Sequence, residues 1–479
     1  MTQRVNAETE SGLVNWSGSH RYQARALHAP ETVEELQRLI AGARGTLQVL
    51  ATRHTFSGIG DADELISLDR LPGARAIEID AAARTATVGP AVTYAELAAA
   101  LNARGLALEN MASLPHISVA GAVATATHGS GTGLGNLATA VRGLELIGGD
   151  GERVTLTEDD PRLPGAAVHL GALGVVTAVA LAVRPYYELR QDVYLGLEWE
   201  ALAQHFDAVM GAGRSVSVFH DFGERAREVW VKGDPEDGEP GAACGTPGEL
   251  YGAVAAREAR NPVPGAPAEN ATPQLGSVGP WSERLPHFRS GFTPSAGQEI
   301  QSEWFVARED GVAAIQALRP LGERIRAVLQ VAELRVIAAD ELWMSPQHGR
   351  ETAALHFTWR LEPGPVAEVC AEIERALASL QVRPHWGKLF PPGPAPWAPD
   401  RLADFLALRD ELDPTGRFVN GWLRERLLDG GRRAGGGVPG APRAGQPGGG
   451  APRAPRAGSP GGGVPGQPRG GAPSAPRAG

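Results

Sequence analysis

The feature that most constrains this chain is residues 112–136, a stretch of mostly small side chains with no acidic or strongly basic residue. Small side chains let the backbone approach a flat, bulky ligand closely, and glycine also tolerates dihedral angles that other residues avoid. The GxGxxG dinucleotide fingerprint does not fit, because Gly131 and Gly133 are followed by Asn136 where a third glycine belongs. A glycine-rich surface loop is the alternative, but the interspersed leucine, isoleucine and valine residues favour a packed, ligand-lining segment.

The composition of the chain excludes several classes of protein. Of its 479 residues, 42% are hydrophobic and 21% are charged, as in an ordinary globular protein, and the net charge of -10 argues against a general nucleic-acid binder. Two cysteines, Cys244 and Cys370, are too few for a disulfide framework or a thiolate metal site. We expect no metal site. The sequence predicts neither a signal peptide nor a membrane helix, so a cytoplasmic protein is expected.

The C-terminal residues 430–479 have a different composition. They are mostly Gly, Pro, Ala and Arg in imperfect repeats, with seven arginines and no acidic residue. Such a segment buries too little apolar surface to offset the entropy of ordering, so we expect it to be disordered. An arm that binds nucleic acid or a partner protein is the alternative.

The first part of the ordered chain combines short helices and strands in an α+β pattern without Rossmann units. The predicted elements are a helix over 30–42 that begins at Pro30, a strand at 47–50, a strand pair over 76–89, a helix capped by Thr93 and Glu96, a hairpin over 143–157 and a strand over 177–183.

From about residue 186 the pattern predicts an antiparallel sheet with helices on one side. Strands are predicted at 192–197, 216–220, 228–231, 303–306, 333–337 and 354–359, with a helical segment at 311–328 and loop over most of 233–297. Residues 401–428 are predicted to form a last helix and a closing segment. Glu333 and Arg335 are two apart on one strand and therefore share a face, as do His356 and Thr358 on another. We expect Lys388 on the next strand, so that five polar side chains converge if the strands are neighbours.

In their order and spacing these pieces resemble the FAD-linked oxidases of the vanillyl-alcohol oxidase type, and within them the alditol (xylitol) oxidases. The resemblance rests on NWSG at 15, RHTFSGIGD at 53, residues 112–136, GALGVVT at 171, ELR at 333, HFTW at 356, HWGK at 385 and DPTGRFVN at 413. It implies a two-domain α+β flavoprotein. The implied parts are an FAD-binding domain at 1–185, a substrate or cap domain at 186–400, a segment at 401–429 that returns to the first domain, and the tail at 430–479.

The resemblance also implies which residues hold FAD. His54 corresponds to the histidine that these oxidases attach covalently to the flavin 8α-methyl group; an ordinary hydrogen-bonded loop histidine is the alternative. The other residues expected to line the cofactor are Arg53, Thr55, Phe56, Ser57, Ser113, Ser118, Gly121, Val123, Thr127, His128, Gly174 and Val176. For His128 a packing or hydrogen-bonding role is favoured.

The cap residues are implied to bind the substrate and to carry the chemistry. Lys388 and Arg335 are the expected catalytic residues, with Lys388 as the base and both holding the developing alkoxide. The full substrate-binding set is Ser113, Glu333, Arg335, His356, Thr358 and Lys388. From spacing alone, an ion-paired network on a solvated sheet face explains the same pattern.

The implied reaction oxidises the C1 primary alcohol of alditols such as xylitol and sorbitol to the aldose and reduces O2 to hydrogen peroxide. An aldonolactone oxidase or dehydrogenase, which shares the Glu-x-Arg pair, is the first alternative. A non-catalytic flavin- or polyol-binding protein is the second. We expect a monomer whose partners are a small polyol and O2, with neither nucleic acid nor membrane involved.

Overall fold

The computed structural model describes residues 2–4, 13–243, 245–291 and 298–428. The tail expected to be disordered, residues 430–479, lies outside the described residues, as does Cys244. Among the described residues, no helix is both long enough and apolar enough to cross a membrane.

The first part of the chain forms two larger sheets and the two-stranded pair β7 and β11, with helices packed around them. Its elements are β1 Thr2–Arg4, β2 Ala26–His28, α1 Val33–Gly42, β3 Leu47–Val49, β4 Glu64–Ile66, β5 Ile77–Asp80, β6 Thr85–Val88, α2 Tyr94–Asn102, β7 Leu106–Ala107, α3 Val119–Ala124, β8 Val141–Ile147, β9 Arg153–Thr157, α4 Leu163–Ala167, β10 Val175–Ala182 and β11 Arg184–Pro185. One sheet has the order β1-β2-β4-β3, with β2, β4 and β3 parallel. The other has the order β5-β6-β10-β8-β9 and is antiparallel.

Local sequence signals account for most of these elements. The capping box of Thr93 and Glu96 is present at the start of α2, and the hairpin of β8 and β9 is confirmed. The prediction that the first helix begins at Pro30 is wrong. Helix α1 begins at Val33 because the side chain of Thr32 accepts a hydrogen bond from the backbone N–H of Glu35 and caps it.

The second part is dominated by one large antiparallel sheet. Its elements are β12 Glu188–Glu198, α5 Trp199–Gln204, α6 Phe206–Met210, β13 Ser215–His220, β14 Arg225–Gly233, α7 Pro240–Ala243, β15 Glu249–Leu250, β16 Ala253–Ala255, β17 Ser277–Pro280, β18 Glu299–Ala307, α8 Gly311–Leu318, α9 Gly322–Val328, β19 Leu329–Ile337, β20 Thr352–Arg360, α10 Pro363–Leu377 and β21 Arg383–Pro384. The strand order is β15-β16-β12-β14-β13-β19-β20-β18-β21, and β17 pairs with β12.

The two faces of this sheet differ in chemistry. On β19, Leu334 and Val336 pack into a hydrophobic core shared with α8, α9 and α10. Glu333 and Arg335 alternate with them and therefore project from the opposite face, which is turned toward the first part of the chain. The expected antiparallel sheet with helices on one side is confirmed.

The end of the described chain packs against the first part. Helix α11 spans Leu402–Leu412, α12 spans Gly421–Leu423, and a π-helical turn covers Arg424–Leu428. Buried side chains of this segment belong to the same core as α2, α3 and β8. Gly149 N–H donates to the carbonyl of Leu412 at 2.8 Å. The domain boundaries at 185 and 400 stay a prediction, whereas the α+β fold with a separate antiparallel-sheet part is confirmed.

Candidate active site

A large cleft lies between the polar sheet face and the first part of the chain. Its empty volume is about 1900 Å³, part of which is open to solvent. The first part supplies the loop at 48–60 and the stretches 112–128 and 169–176, and the sheet supplies β18, β19 and β20. Residues 112–128 of the small-residue stretch therefore form a cavity wall, which includes α3.

His54 sits on this wall in an unusual environment. Both of its ring nitrogens are buried without a hydrogen-bond partner. The ring stacks on Trp16 with centroids 5.0 Å apart, and His116 lies at 5.0 Å on another side. Burial, with a contribution from His116, lowers the pKa of His54 to about 3, so the imidazole is neutral. A neutral imidazole with a free nitrogen can act as a nucleophile.

The backbone of the cavity wall is tightly fitted. Gly174 has φ of 142°, and a Cβ there would lie 2.4 Å from the carbonyl oxygen of Ile147. Arg53 and Leu170, on two of the walls, hold left-handed backbone with φ of 61° and 55°. Such conformations cost energy in non-glycine residues and tend to cluster at ligand sites.

Nearly all of the residues predicted to hold the cofactor lie on the cavity wall. Those that do are Arg53, His54, Thr55, Phe56, Ser113, Ser118, Gly121, Thr127, His128, Gly174 and Val176. Two do not. The side chain of Val123 packs in the hydrophobic core, and Ser57 is buried at the start of a 3-10 turn with its hydroxyl unpartnered. His128 points toward the sheet, with Nε2 3.2 Å from Glu303.

The polar residues predicted on the sheet lie together. Glu333 on β19 is directly opposite His356 on β20, and Thr358 Oγ1 lies 3.2 Å from His356 Nε2. Lys388 donates to His356 Nδ1 at 2.9 Å. The prediction that Lys388 lies on the next strand is wrong, since it follows the short strand β21 in a loop. Its backbone N–H donates to the carbonyl of His385, which fixes the turn that aims its side chain inward.

A carboxylate that the sequence analysis missed lies at the centre of this group. Glu303 on β18 accepts hydrogen bonds from Lys388 at 2.6 Å and from Arg335 at 3.0 Å, and its side chain is 0% exposed. Glu303 contacts both cations, while Glu333 lies 3.5 Å from Arg335 and bonds to His287 at 2.8 Å.

The site is close to electrically balanced. The cations hold the pKa of Glu303 well below its usual value of 4.5 despite burial. Burial lowers the pKa of Lys388 from 10.5, partly opposed by Glu303, and burial with Lys388 holds the pKa of His356 well below 6.5. Two carboxylates therefore face two cations, and Lys388 loses its proton more easily than a free lysine.

The missed residues on β18 share one signal that could have found them. Glu299, Gln301 and Glu303 alternate on β18, with the same spacing as the pairs on β19 and β20, and Glu299 and Gln301 line the cavity. Burial raises the pKa of Glu299 to about 7, in contrast to Glu303. Nothing in the sequence could have found His287, which lies in an irregular segment far from the strands in sequence.

One group in the site has the arrangement of metal ligands. A ligand atom each from His128, Glu303 and His385 lies within 4.8 Å of the others. Lys388 and Arg335 already bond to the same carboxylate. Two cations bonded to Glu303 would repel a divalent ion beside it, so the geometry favours a hydrogen-bonded cluster over a metal centre.

Replacing Glu303 by Gln should destabilise the protein by about 3–5 kcal/mol, because it leaves two buried cations without their carboxylate. The pKa of Glu303 is depressed, so its contribution is fully present above 4.5 and is lost only as the pH falls further. Denaturant unfolding at about pH 6 measures the loss. Glu299→Gln, on the same strand face but without a depressed pKa, is the matched control and should cost less than about 1 kcal/mol. Equal losses would show that Glu303 is not the centre of the network.

Comparisons with known proteins agree with this geometry. Residues 24–157 match the FAD binding domain family, and residues 295–426 match the family described as D-arabinono-1,4-lactone oxidase. The chain is 45% identical over 426 residues to an alditol oxidase of a Streptomyces species, covering 88% of this chain and 100% of that protein. It is 28% identical to an L-gulono-1,4-lactone dehydrogenase of Mycobacterium tuberculosis, covering 86% and 98%.

The fold has a counterpart among solved structures. A cholesterol oxidase from B. sterolicum superposes with a TM-score of 0.67, covering 87% of this chain and 96% of that one. Its sequence identity is 16%, so the likeness concerns the fold alone.

Proposed function

Since this chain belongs to the family of FAD-binding oxidases that includes the Streptomyces alditol oxidase, we propose that it oxidises the C1 primary alcohol of alditols to the aldose. Xylitol and sorbitol are the proposed substrates, and O2 is the proposed acceptor, giving hydrogen peroxide. The observation that carries the proposal is that Lys388, Arg335 and Glu333 line the same cavity as His54, with the buried Glu303 paired to both cations. Such a set offers charged partners to several hydroxyl groups at once.

The residues present fit FAD. The small residues of 112–128 leave room for a flat ring system. The cavity extends from the sheet to the loop at 169–176. Bound FAD would accept a hydride from the substrate carbon and pass the electrons to O2. We also propose that His54 forms the covalent link to the flavin, because its two buried ring nitrogens have no other partner.

The chain's own residues would bind and deprotonate the alcohol. Arg335 and Lys388 face the cavity and would donate hydrogen bonds to the reacting hydroxyl as its charge develops. Lys388, whose pKa is lowered by burial, would take the hydroxyl proton as its neutral amine. Glu303, at 2.6 Å, would stabilise the ammonium that results.

The remaining hydroxyls would meet fixed partners on the same wall. Glu333 would accept hydrogen bonds, and His356 and Thr358 would orient hydroxyls further along the chain. Ser113, whose Oγ lies 3.4 Å from Arg335, would contact the substrate from the opposite wall. One group would therefore remove the proton of the reacting hydroxyl, and other groups would bind the remote hydroxyls.

An aldonolactone oxidase or dehydrogenase is the alternative, and it is less supported. The match of residues 295–426 to a lactone oxidase family favours it. However, the relatives of that kind that align over nearly their whole length are 28% identical or less. A non-catalytic polyol-binding protein is disfavoured, because binding alone requires no lysine of lowered pKa on the cavity wall.

Xylitol and sorbitol should be far better substrates than simple primary alcohols. A hydrogen bond to a charged group contributes about 1.5–3 kcal/mol, so two missing bonds cost roughly 3–6 kcal/mol, or about 10² to 10⁴ in kcat/KM. A peroxide assay of the flavin-loaded enzyme with xylitol, sorbitol, 1-pentanol and ethanol measures this. Comparable kcat/KM values for xylitol and 1-pentanol would contradict the proposed polyol site.

A further inference from the structure

The chain contains only two lysines, Lys232 and Lys388, although it has 45 lysine and arginine residues in total. Neither lies on the surface: Lys232 is 1% exposed, and the side chain of Lys388 is 14% exposed and lines the cavity. Arginine thus supplies the basic side chains of the surface. Lysine differs from arginine in carrying a compact ammonium with three donors on a flexible stem. The two lysines occupy buried positions, and the proposed reaction uses only one of them.

Lys232 projects from β14 into a closed set of acceptors. Its ammonium donates to the carbonyl oxygens of Leu285 and Pro286 and to Nδ1 of His287 at 3.1 Å. These three acceptors match the three donors of an ammonium group. Lys232 does not line the cavity, so it cannot touch the substrate directly.

The contacts to Lys232 and Glu333 favour the same tautomer of His287. Because Nδ1 accepts a hydrogen bond from Lys232, the neutral ring carries its proton on Nε2, which lies 2.8 Å from Glu333 Oε1. The ring is held edge-on to Phe219 and Trp230, with centroids 5.2 and 5.7 Å away. Burial and the neighbouring Lys232 lower the pKa of His287 to about 4, so it remains a neutral donor.

The contacts from Lys232 through His287 lead to Glu333 on the cavity wall. Glu333 lines the cavity, and its pKa is held low by Arg335 and His287 against the effect of burial. A carboxylate with its Oε1 engaged by His287 can present its other oxygen to a ligand. Without Lys232, His287 could adopt the opposite tautomer and would then direct an acceptor nitrogen at the carboxylate.

We propose that Lys232 is a positioning residue for the substrate site, which acts through His287 to hold Glu333 as an ionised, fixed acceptor of substrate hydroxyls. The inference rests on the proposed function, since Glu333 needs a hydroxyl-bearing ligand to act upon. It assigns a role to the second buried lysine, 55 residues in sequence from its histidine partner.

The test is anaerobic reduction of the flavin-loaded Lys232→Met variant by xylitol in a stopped-flow instrument. The apparent Kd of xylitol should rise about 10- to 100-fold, as for the loss of a hydrogen bond to a charged group, with a smaller change in the limiting reduction rate. Removing one substrate hydroxyl, as in 2-deoxy and 3-deoxy pentitols, should raise the apparent Kd of the wild type. For the hydroxyl that Glu333 binds, this rise should be smaller in Lys232→Met.

Gln191→Met is the matched control. Gln191 lies directly opposite Lys232 on β12, and its amide anchors the neighbouring residues Thr272 and Pro273. It has no bond to His287, so the variant disturbs the same face without interrupting the contacts to Glu333. Its xylitol Kd should stay within about twofold of that of the wild type. An equal rise in both variants, or an unchanged Kd in Lys232→Met, would overturn the proposal.

A second measurement does not depend on substrate or on the folding of Lys232→Met. Long-range 1H–15N NMR of the wild-type protein labelled with 15N-histidine should show the His287 ring protonated at Nε2 alone near neutral pH, the signal being identified by its loss in His287→Gln. The Nδ1-protonated or doubly protonated ring would overturn the proposal. A wild-type flavin that xylitol does not reduce would instead contradict the proposed function, and the tautomer would still decide the role of Lys232.

Discussion

Replacing Lys388 by Met should lower the rate of flavin reduction by xylitol by more than about 100-fold and leave the flavin bound. General base catalysis contributes about 10² to 10⁴ to a rate, and Met keeps the approximate length of the side chain while removing its amine. The cofactor should stay, because Lys388 bonds to Glu303 and His356 on the sheet and not to the loop that contains His54. Anaerobic stopped-flow reduction measures the rate, and the flavin absorbance per polypeptide measures the cofactor.

Lys388→Arg and the pH dependence separate a base from a fixed charge. Arginine keeps the positive charge but does not deprotonate in proteins, so this variant should also be slow if the amine is the base. In the wild type, the limiting rate should rise with pH, because the neutral amine is the active form and burial lowers the pKa of Lys388 from 10.5. A Met variant reduced at nearly the wild-type rate, or an unchanged pH profile in it, would remove Lys388 from the chemistry.

Replacing His54 by Ala should convert a covalently bound flavin into a dissociable one. Acid precipitation of the wild type should leave essentially all of the yellow colour in the pellet, and with His54→Ala the colour should appear in the supernatant. The reason is that His54 is neutral, buried and without a partner at either ring nitrogen, so it is available for the bond. The absorbance of pellet and supernatant measures the partition.

His116→Ala provides the matched control for that experiment. His116 is also a partly buried histidine, its ring centroid lies 5.0 Å from that of His54, and burial lowers its pKa too. The variant should retain the colour in the pellet. Colour that stays with the His54→Ala pellet but leaves the His116→Ala pellet would assign the covalent link to His116.

The parts of the fold that the sequence could predict are those set by local patterns. The capping box at Thr93, the hairpin over 143–157 and the alternation at Glu333 and Arg335 depend on neighbours within a few residues, and all three are present. Helix α1 shows the limit of such reasoning. Pro30 and Thr32 are both acceptable start signals, and the side-chain hydrogen bond of Thr32 decides between them.

The candidate site depended on contacts that a single sequence does not reveal. Glu303 repeats the spacing of the other strand pairs, but its importance arises because β18 and β19 flank β20 in the sheet, an order that the sequence does not give. Lys388 was expected on the next strand, whereas the chain leaves the sheet after β21. His287 reaches Glu333 from a loop, and only the folded chain brings them together.

The most direct test of the proposed function compares two substrates on the wild-type enzyme. Purified, flavin-loaded protein is mixed anaerobically with xylitol or with L-gulono-1,4-lactone in a stopped-flow instrument, and the flavin absorbance is followed. The account predicts rapid, saturable bleaching by xylitol, at least about 100-fold faster at equal low concentration than bleaching by the lactone, because the cyclic ester offers fewer hydroxyls to the charged wall. Faster reduction by the lactone than by any alditol would contradict it and would establish the lactone oxidase or dehydrogenase as the better assignment.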